Sequence, residues 1–140
     1  MWRISLAVIA FCYLSVMSCG GDREKGPAGT SSLPALITAN EVRTVYDKYV
    51  RGDYEGYVAE MASCDGKPVA YKRQMAILYK QHAADQRKDD GDVTALNVIR
   101  IEPQAGNRAA LAYVSVTYAN GKSEELLLQF LYLDGRWRLR

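Results

Sequence analysis

From residue 42 onward, apolar side chains first return at the spacing of a helix and later at the spacing of a strand. The helical spacing follows Thr38-Ala39-Asn40-Glu41, in which threonine and glutamate can cap each other's backbone amides. Gly52 then interrupts the pattern, as glycine does at the end of many helices. A first amphipathic helix is therefore predicted between Thr38 and Gly52. Its apolar face carries Val42, Val45, Tyr46, Tyr49 and Val50.

Two more helices are predicted before the pattern changes. Asp53 can cap a shorter helix with Tyr54, Tyr57, Val58 and Met61 on one side. Residues 63–67 form a turn, and Pro68 suits the first turn of a third helix, which ends in the polar segment 87–92. The apolar face predicted for this third helix carries Tyr71, Met75, Leu78, Tyr79 and His82.

Beyond Asp92 the apolar positions alternate with a period of two, which predicts strands. Asn120-Gly121 and Asp134-Gly135 are strong hairpin signals, and residues 104–107 form another turn. The predicted strands are residues 93–102, 108–119, 122–133 and 136–140. Short turns between successive strands make an antiparallel meander. The predicted fold class is α+β, with three N-terminal helices packed on one side of a curved four-stranded antiparallel sheet.

The N-terminus has the pattern of an export signal. A short basic start is followed by a 13-residue apolar run, residues 4–16, which is too short to cross a bilayer. Residues 20–35 are rich in Gly, Ser, Thr and Pro, which is typical of a flexible tether. We therefore divide the chain into a signal peptide (1–18), a cysteine with its tether (19–36) and one domain (37–140).

The end of the apolar run, Val16-Met17-Ser18-Cys19, resembles the lipobox of bacterial lipoproteins. The resemblance implies cleavage before Cys19, a diacylglycerol thioether on its sulfur and acylation of the new N-terminus, so fatty chains such as palmitate anchor the protein to a membrane. It implies a bacterial cell envelope, and Gly20 in place of aspartate implies the outer membrane. A buried first helix, or a plain secretory signal with a coincidental cysteine, remains an alternative.

The other cysteines fit this interpretation. Cys12 leaves with the signal, so Cys64 has no partner for an internal disulfide. If Cys19 carries no lipid, a Cys19–Cys64 disulfide becomes possible in an oxidising compartment. A catalytic role for Cys64 needs a nearby base, and the sequence places no histidine beside it.

Charge and motifs exclude several function classes. The formal net charge is +2, and loss of Arg3 with the signal subtracts one to leave +1. The sequence shows no basic stripe of the kind that would predict nucleic-acid binding. With His82 as the one histidine, and with residues 89–92 read as a helix terminator, no metal site or cofactor is expected. Glu124 and Glu125 are neighbours on a strand and face opposite ways, so they cannot share a substrate.

Two parts of the chain resemble the nuclear transport factor 2-like (NTF2-like) fold. They are the helical segment 42–61, with its junction Gly52-Asp53-Tyr54, and the end of the chain, which begins Asp134-Gly135-Arg136-Trp137. The chain is similar to small bacterial envelope lipoproteins of unknown function that have this cystatin-like cone. The resemblance implies a bent sheet around a helix, with Trp137 as a core anchor and a cavity at the wide end. Some proteins with this fold, such as ketosteroid isomerases and scytalone dehydratases, are enzymes. No catalytic motif of theirs maps onto this chain.

A group of aromatic residues is predicted to point into the cone, either as core or as the lining of a pocket for an amphipathic ligand. The group consists of Tyr46, Tyr49, Tyr57, Tyr71, Tyr79, Tyr113 and His82.

The favoured hypothesis is a non-catalytic, lipid-anchored binding or scaffolding domain. The strand at residues 122–133 is apolar on both faces, so its uncovered face suggests a homodimer. The alternatives are a small-molecule-binding cone and, less favoured, an isomerase or dehydratase.

Overall fold

The helices and strands follow one another as the periodicity predicts. A computed structural model describes residues 32–140, so the predicted signal peptide, Cys19 and all but the end of the tether lie outside the described residues. The helices are α1 (Ala39–Val50), α2 (Tyr54–Ala59) and α3 (Val69–Asp90), and a 3₁₀ turn (Ala62–Cys64) overlaps the start of the predicted turn at residues 63–67. Within residues 32–140, no helix is both long and apolar enough to cross a membrane.

The two predicted helix caps are confirmed. The hydroxyl of Thr38 accepts from the Glu41 amide at 3.2 Å, and the Glu41 carboxylate accepts from the Thr38 amide at 2.7 Å. Asp53 begins α2 by accepting from the amide of Gly56 at 2.9 Å. Between these helices Gly52 has φ +82°, a conformation that glycine adopts without steric cost. The chain therefore turns sharply, and α1 and α2 meet along their apolar faces.

The buried side of α3 differs from the predicted one. Tyr71, Leu78 and His82 are exposed, whereas Ala76 is buried and Met75 is half-buried. The stripe continues through Tyr79, Ala83 and Gln86, which are also half-buried. Small alanine side chains let the backbones of α2 and α3 approach closely, and this packing rotates the helix away from Tyr71 and His82.

The sheet is the predicted meander, β1 (Val93–Gln104), β2 (Ala109–Tyr118), β3 (Ser123–Leu133) and β4 (Arg136–Leu139), antiparallel and in that spatial order. Asp134 and Gly135 have φ of 49° and 80°, as a two-residue hairpin turn requires. The turn at Asn120-Gly121 is longer: β2 stops at Tyr118, whose carbonyl accepts from the Gly121 amide at 2.9 Å. β1 continues through Pro103, which an edge strand tolerates.

The core lies between the helices and the inner face of the sheet. Along β2, alternate residues from Ala110 to Tyr118 are buried, while those between them are less so. Phe130 and Leu139 add to this inner face from β3 and β4. The core cluster consists of residues between Ile37 and Leu139, so the domain has a hydrophobic core of its own.

Arg138 alternates with Trp137 and Leu139 along β4, yet it is a buried charged residue. It is 6% exposed. Its guanidinium donates to the carbonyls of Ala59, Glu60 and Met61, and to the Asp65 carboxylate at 2.6 Å. The segment after α2 runs beside β4 and covers it, so Arg138 fastens the helical half to the sheet. Trp137 is half-buried, and its indole N–H donates to the carbonyl of Ala35 at 3.1 Å.

Candidate functional site

A cluster of tyrosine rings fills the space between α1, α2 and α3. Tyr49 lies at its centre, with ring centroids 5.4 Å from Tyr46, 5.4 Å from Tyr57 and 6.2 Å from Tyr79. Tyr57 and Tyr79 meet edge to face at 5.2 Å. These tilted and edge-on contacts are the arrangements that aromatic rings prefer. Three helices thus bring together four of the seven residues that the sequence predicted for the interior.

The hydroxyl of Tyr49 is buried and has no hydrogen-bond partner. Burial raises the pKa of Tyr49 to about 12, with neighbouring tyrosines adding to the effect. Burial likewise raises the pKa of Tyr46 and of Tyr57. An unsatisfied buried hydroxyl costs roughly 1–3 kcal/mol, so its presence in a core needs an explanation.

A hydrogen-bonded group that sequence reasoning missed lies beside the tyrosine cluster. The phenol of Tyr118 donates to the Glu124 carboxylate, and the Gln86 amide donates both to Tyr118 and, at 3.0 Å, to Glu124. Burial, followed by the hydrogen bond to Glu124, raises the pKa of Tyr118. Glu124 alternates in phase with Leu126 and the other inner-face residues of β3, so the period of two could have placed it inside.

A small cleft of about 170 Å³ opens at this group. Tyr49, Tyr118 and Gln86 line it together with Arg87, whose Nε is 2.6 Å from the Asp92 carboxylate. The remaining lining is apolar side chain and the backbone of the α3–β1 junction. The cleft therefore combines aromatic rings, an amide and an ion pair, but it is smaller than the pockets that hold drug-sized ligands.

A larger surface groove of about 590 Å³ lies between residues 35–38 and the β3–β4 turn. Several of its polar groups already have partners within the fold. Glu41 caps α1, Glu60 is 2.5 Å from Lys48, and the Trp137 indole N–H is bonded to Ala35. We therefore take the tyrosine interior and its cleft as the candidate site.

Three of the seven predicted residues do not point into the interior. Tyr71 is exposed, with the Lys67 ammonium 5.8 Å from its ring. His82 is exposed, and its ring lies 6.4 Å from that of Tyr49. Tyr113 lies on the outer face of the sheet, where the Arg100 guanidinium stacks 3.5 Å from its ring. The rotation of α3 explains the first two, and the phase of β2, which turns Tyr118 inward, explains the third.

The part of the chain that the structure describes holds no group of three side chains suited to a metal ion. Cys64 is a buried free thiol in that part of the chain. The segment 89–92 ends α3, as predicted. Asp90 accepts from Lys122 at 2.8 Å and from Asn120 at 3.0 Å, so it ties the helix end to the β2–β3 turn.

Comparison with known proteins bears on the fold alone. No protein-family model matches the chain, and no curated protein sequence matches it. Among solved structures, it is similar to a protein from Campylobacter jejuni provisionally described as an NTF2-like transpeptidase, with 13% identity and a TM-score of 0.58. The match covers 71% of this chain and 94% of that one. The domain thus has the NTF2-like α+β fold.

Proposed function

We propose that this protein is a non-catalytic binding or scaffolding domain, anchored by lipid on Cys19 in a bacterial envelope, with the outer membrane as its site. Its partner surface is the outer face of the sheet, and the expected partner is a second copy of the chain. The observation that carries this proposal is the exposed apolar character of that face. Leu127 is 56% exposed and Ile99 is 50% exposed, and Leu133 extends the patch.

The surroundings of these residues suit an interface. Tyr113 lies opposite Leu127 in the strand register. Both Tyr113 and Leu131 are half-buried on the same face as Leu127. The Arg100–Glu102 pair at 2.9 Å places a neutralised polar group beside the apolar ones. An apolar centre with a polar rim is the usual anatomy of a protein–protein interface.

The contents of the interior support a non-catalytic role. Aromatic rings occupy the space between the helices, and the inward carboxylate of Glu124 is bonded to Tyr118 and Gln86. His82, the one histidine of the chain, is exposed. Within residues 32–140, this inward carboxylate is thus already hydrogen-bonded, and the cleft beside it, about 170 Å³, is smaller than a pocket for a drug-sized ligand.

Light scattering coupled to size exclusion tests the partner surface on residues 36–140, which contain the complete core. We expect a dimer that Leu127→Lys converts to a monomer, because the substitution puts like charges opposite each other. Leu78→Lys, at a similarly exposed leucine on α3, is the matched control and leaves the dimer intact. A monomer at high concentration without any substitution contradicts the proposal.

The anchor is tested separately in the full chain. Labelled palmitate is expected to enter the protein, and Cys19→Ser abolishes both labelling and the membrane association that survives high salt. Cys12→Ser is the control and changes neither. If the Cys19→Ser protein is processed normally and stays with membranes at high salt, the anchor and the envelope location are both wrong.

A second candidate, a small-molecule binder, is favoured by one observation: the unpartnered hydroxyl of Tyr49 in a residue that lines the cleft. Native mass spectrometry of the purified domain tests it. A co-purified ligand that is lost in Tyr49→Phe, but kept in the exposed-site control Tyr71→Phe, supports binding. A domain of bare protein mass removes this candidate.

A further inference from the structure

The first part of α3 carries an unusual run of charges. From Gly66 to Ala84 the chain holds four basic side chains and no carboxylate. Lys67, Arg73 and Lys80 are exposed, and Lys72 is half-buried. The next acid along the chain is Asp85. The basic residues thus lie just before α3 and on its first turns, ahead of its acidic end.

Large apolar side chains are exposed on the same turns. Val69 is 73% exposed, Leu78 48%, and Tyr71 and Ile77 are 43% each. This concentration of exposed apolar groups on one helix is more than the scattered single residues of an ordinary surface.

The helical spacing arranges these groups around a single solvent-facing side. Arg73 and Lys80 are seven residues apart and share one edge, while Tyr71 and Leu78 share the other. Ile77 lies between the two edges, along with small and amide side chains. The edge opposite this side is the buried stripe through Ala76. The result is an amphipathic surface with basic residues at one margin and a tyrosine at the other.

Nearby acids reduce the positive charge only in part. Asp53 and Glu55 of α2 line a shallow cleft together with Arg73 and Lys80. Among residues 32–140, the salt bridges with N–O distances within 4 Å include neither of these carboxylates with the α3 basic residues. Asp65 is already paired with Arg138. The four basic groups therefore outnumber the acids that face them.

We propose that residues 67–84, at the start of α3, form a membrane-facing surface that rests on the head groups of anionic phospholipids. Exposed basic side chains are attracted to anionic lipid, and aliphatic and tyrosine side chains enter the boundary between head groups and acyl chains. The surface rests on the proposed anchor for its proximity to the bilayer. For a flexible chain as long as the predicted tether, about 17 residues, the root-mean-square end-to-end distance is roughly 20–25 Å.

A bilayer fits this surface better than a second copy of the chain does. In a symmetric dimer the patch would face itself, which places Arg73 and Lys80 of one copy near the same residues of the other. Such like-charge contacts are unfavourable. Anionic lipid, by contrast, complements the exposed Lys67, Arg73 and Lys80 at once.

Vesicle co-sedimentation of residues 36–140, which lack the lipidated cysteine, tests this proposal. Vesicles of phosphatidylcholine alone are compared with vesicles of phosphatidylcholine mixed with phosphatidylglycerol. We expect binding to the anionic vesicles, weakened by added salt. The triple variant Lys67→Gln/Arg73→Gln/Lys80→Gln is expected to lower the partition coefficient by roughly a hundredfold, since each basic residue at an anionic surface contributes about fivefold.

The matched control is Arg43→Gln/Arg108→Gln/Arg136→Gln, which removes the same charge from exposed sites outside α3. It is expected to change partitioning far less. Circular dichroism checks that both triples are folded, and glutamine preserves helix propensity. Tyr71→Gln/Leu78→Gln, which leaves the charge unchanged, is expected to weaken binding severalfold through lost insertion.

Absence of binding to the anionic vesicles overturns the proposal, as does an equal loss in both triples, which would mean that net charge alone governs binding. Self-association that the α3 triple abolishes would also overturn it in favour of a protein partner. Because the fragment lacks Cys19, its result is independent of the anchor test. If palmitate labelling fails, the proposed anchor is wrong. The lipid-binding surface is then judged by the vesicle data alone.

Discussion

The two faces of the sheet have similar side chains and different environments. On β3, Leu126, Leu128 and Phe130 face the helices and are partly or fully buried. Leu127, between two of them, is 56% exposed on the other face. Composition therefore does not decide which apolar face becomes core. The position of the helices decides it, because they remove one face from water and leave the other available to a partner.

The largest expected difference between the two faces is in stability. Phe130→Ala should lower the free energy of unfolding by about 3–5 kcal/mol, because it opens a cavity at a fully buried site. Leu127→Ala on the outer face should change the stability of the monomer by less than ~0.5 kcal/mol. Urea unfolding of both variants measures the contrast. Similar losses would mean that the outer face is covered within one chain.

Arg138 shows that coverage also decides the environment of a charged residue. Arg138→Met should destabilise the domain by roughly 3 kcal/mol, since it leaves the Asp65 carboxylate and the Ala59 carbonyl without this donor and removes one of two donors from the carbonyls of Glu60 and Met61. Arg136→Met, two residues earlier and exposed, is the control and should be nearly neutral. Thermal unfolding of the pair would contradict this account if both variants lost the same stability.

Gly91 forms the junction between α3 and β1. We expect this position to tolerate no side chain. Gly91→Ala should cost about 2–3 kcal/mol, because φ is +86° and the new Cβ would lie 2.7 Å from the Cβ of Ala119. Gly121 has the same φ but open space around it, so Gly121→Ala should cost only ~1 kcal/mol. Chemical denaturation distinguishes the two. Equal costs would show that strain, rather than contact with Ala119, dominates.

The smallest expected effect is the response of the tyrosine interior to alkali. The raised pKa of Tyr49 means that the unfolded chain loses this phenolic proton first, so stability is retained below pH 10 and falls as pH rises toward 12. The loss from Tyr49 between pH 10 and 11 should be about 1 kcal/mol. Tyr49→Phe should flatten this slope, and the exposed-site control Tyr71→Phe should not. A parallel profile for Tyr49→Phe would show that its hydroxyl is already accessible to solvent.

Much of the backbone was predictable because its signals are local. The Thr38–Glu41 capping box, the glycine after α1 and the Asp134-Gly135 turn each act within a few residues. The period of two separated Val114 and Val116 from their outward neighbours. The predicted strands accordingly lie close to the observed ones.

The candidate site was only partly predictable, because side-chain orientation depends on distant packing. On α3, the stripe through Tyr71 and Leu78 looked as apolar as the one through Ala76 and Tyr79. Alanines gave no signal that α2 would pack against them. On β3, the charge of Glu124 hid its inward phase, since its partners Tyr118 and Gln86 lie on other elements.

The sequence by itself determined the order of elements, their caps and turns, and the alternation along each strand, because these depend on backbone geometry over a few residues. The tertiary structure decided which stripe of α3 is buried, why Arg138 is inside and which tyrosines meet. Those outcomes depend on where separate elements pack, and burial is a property of the assembled layers rather than of any single segment.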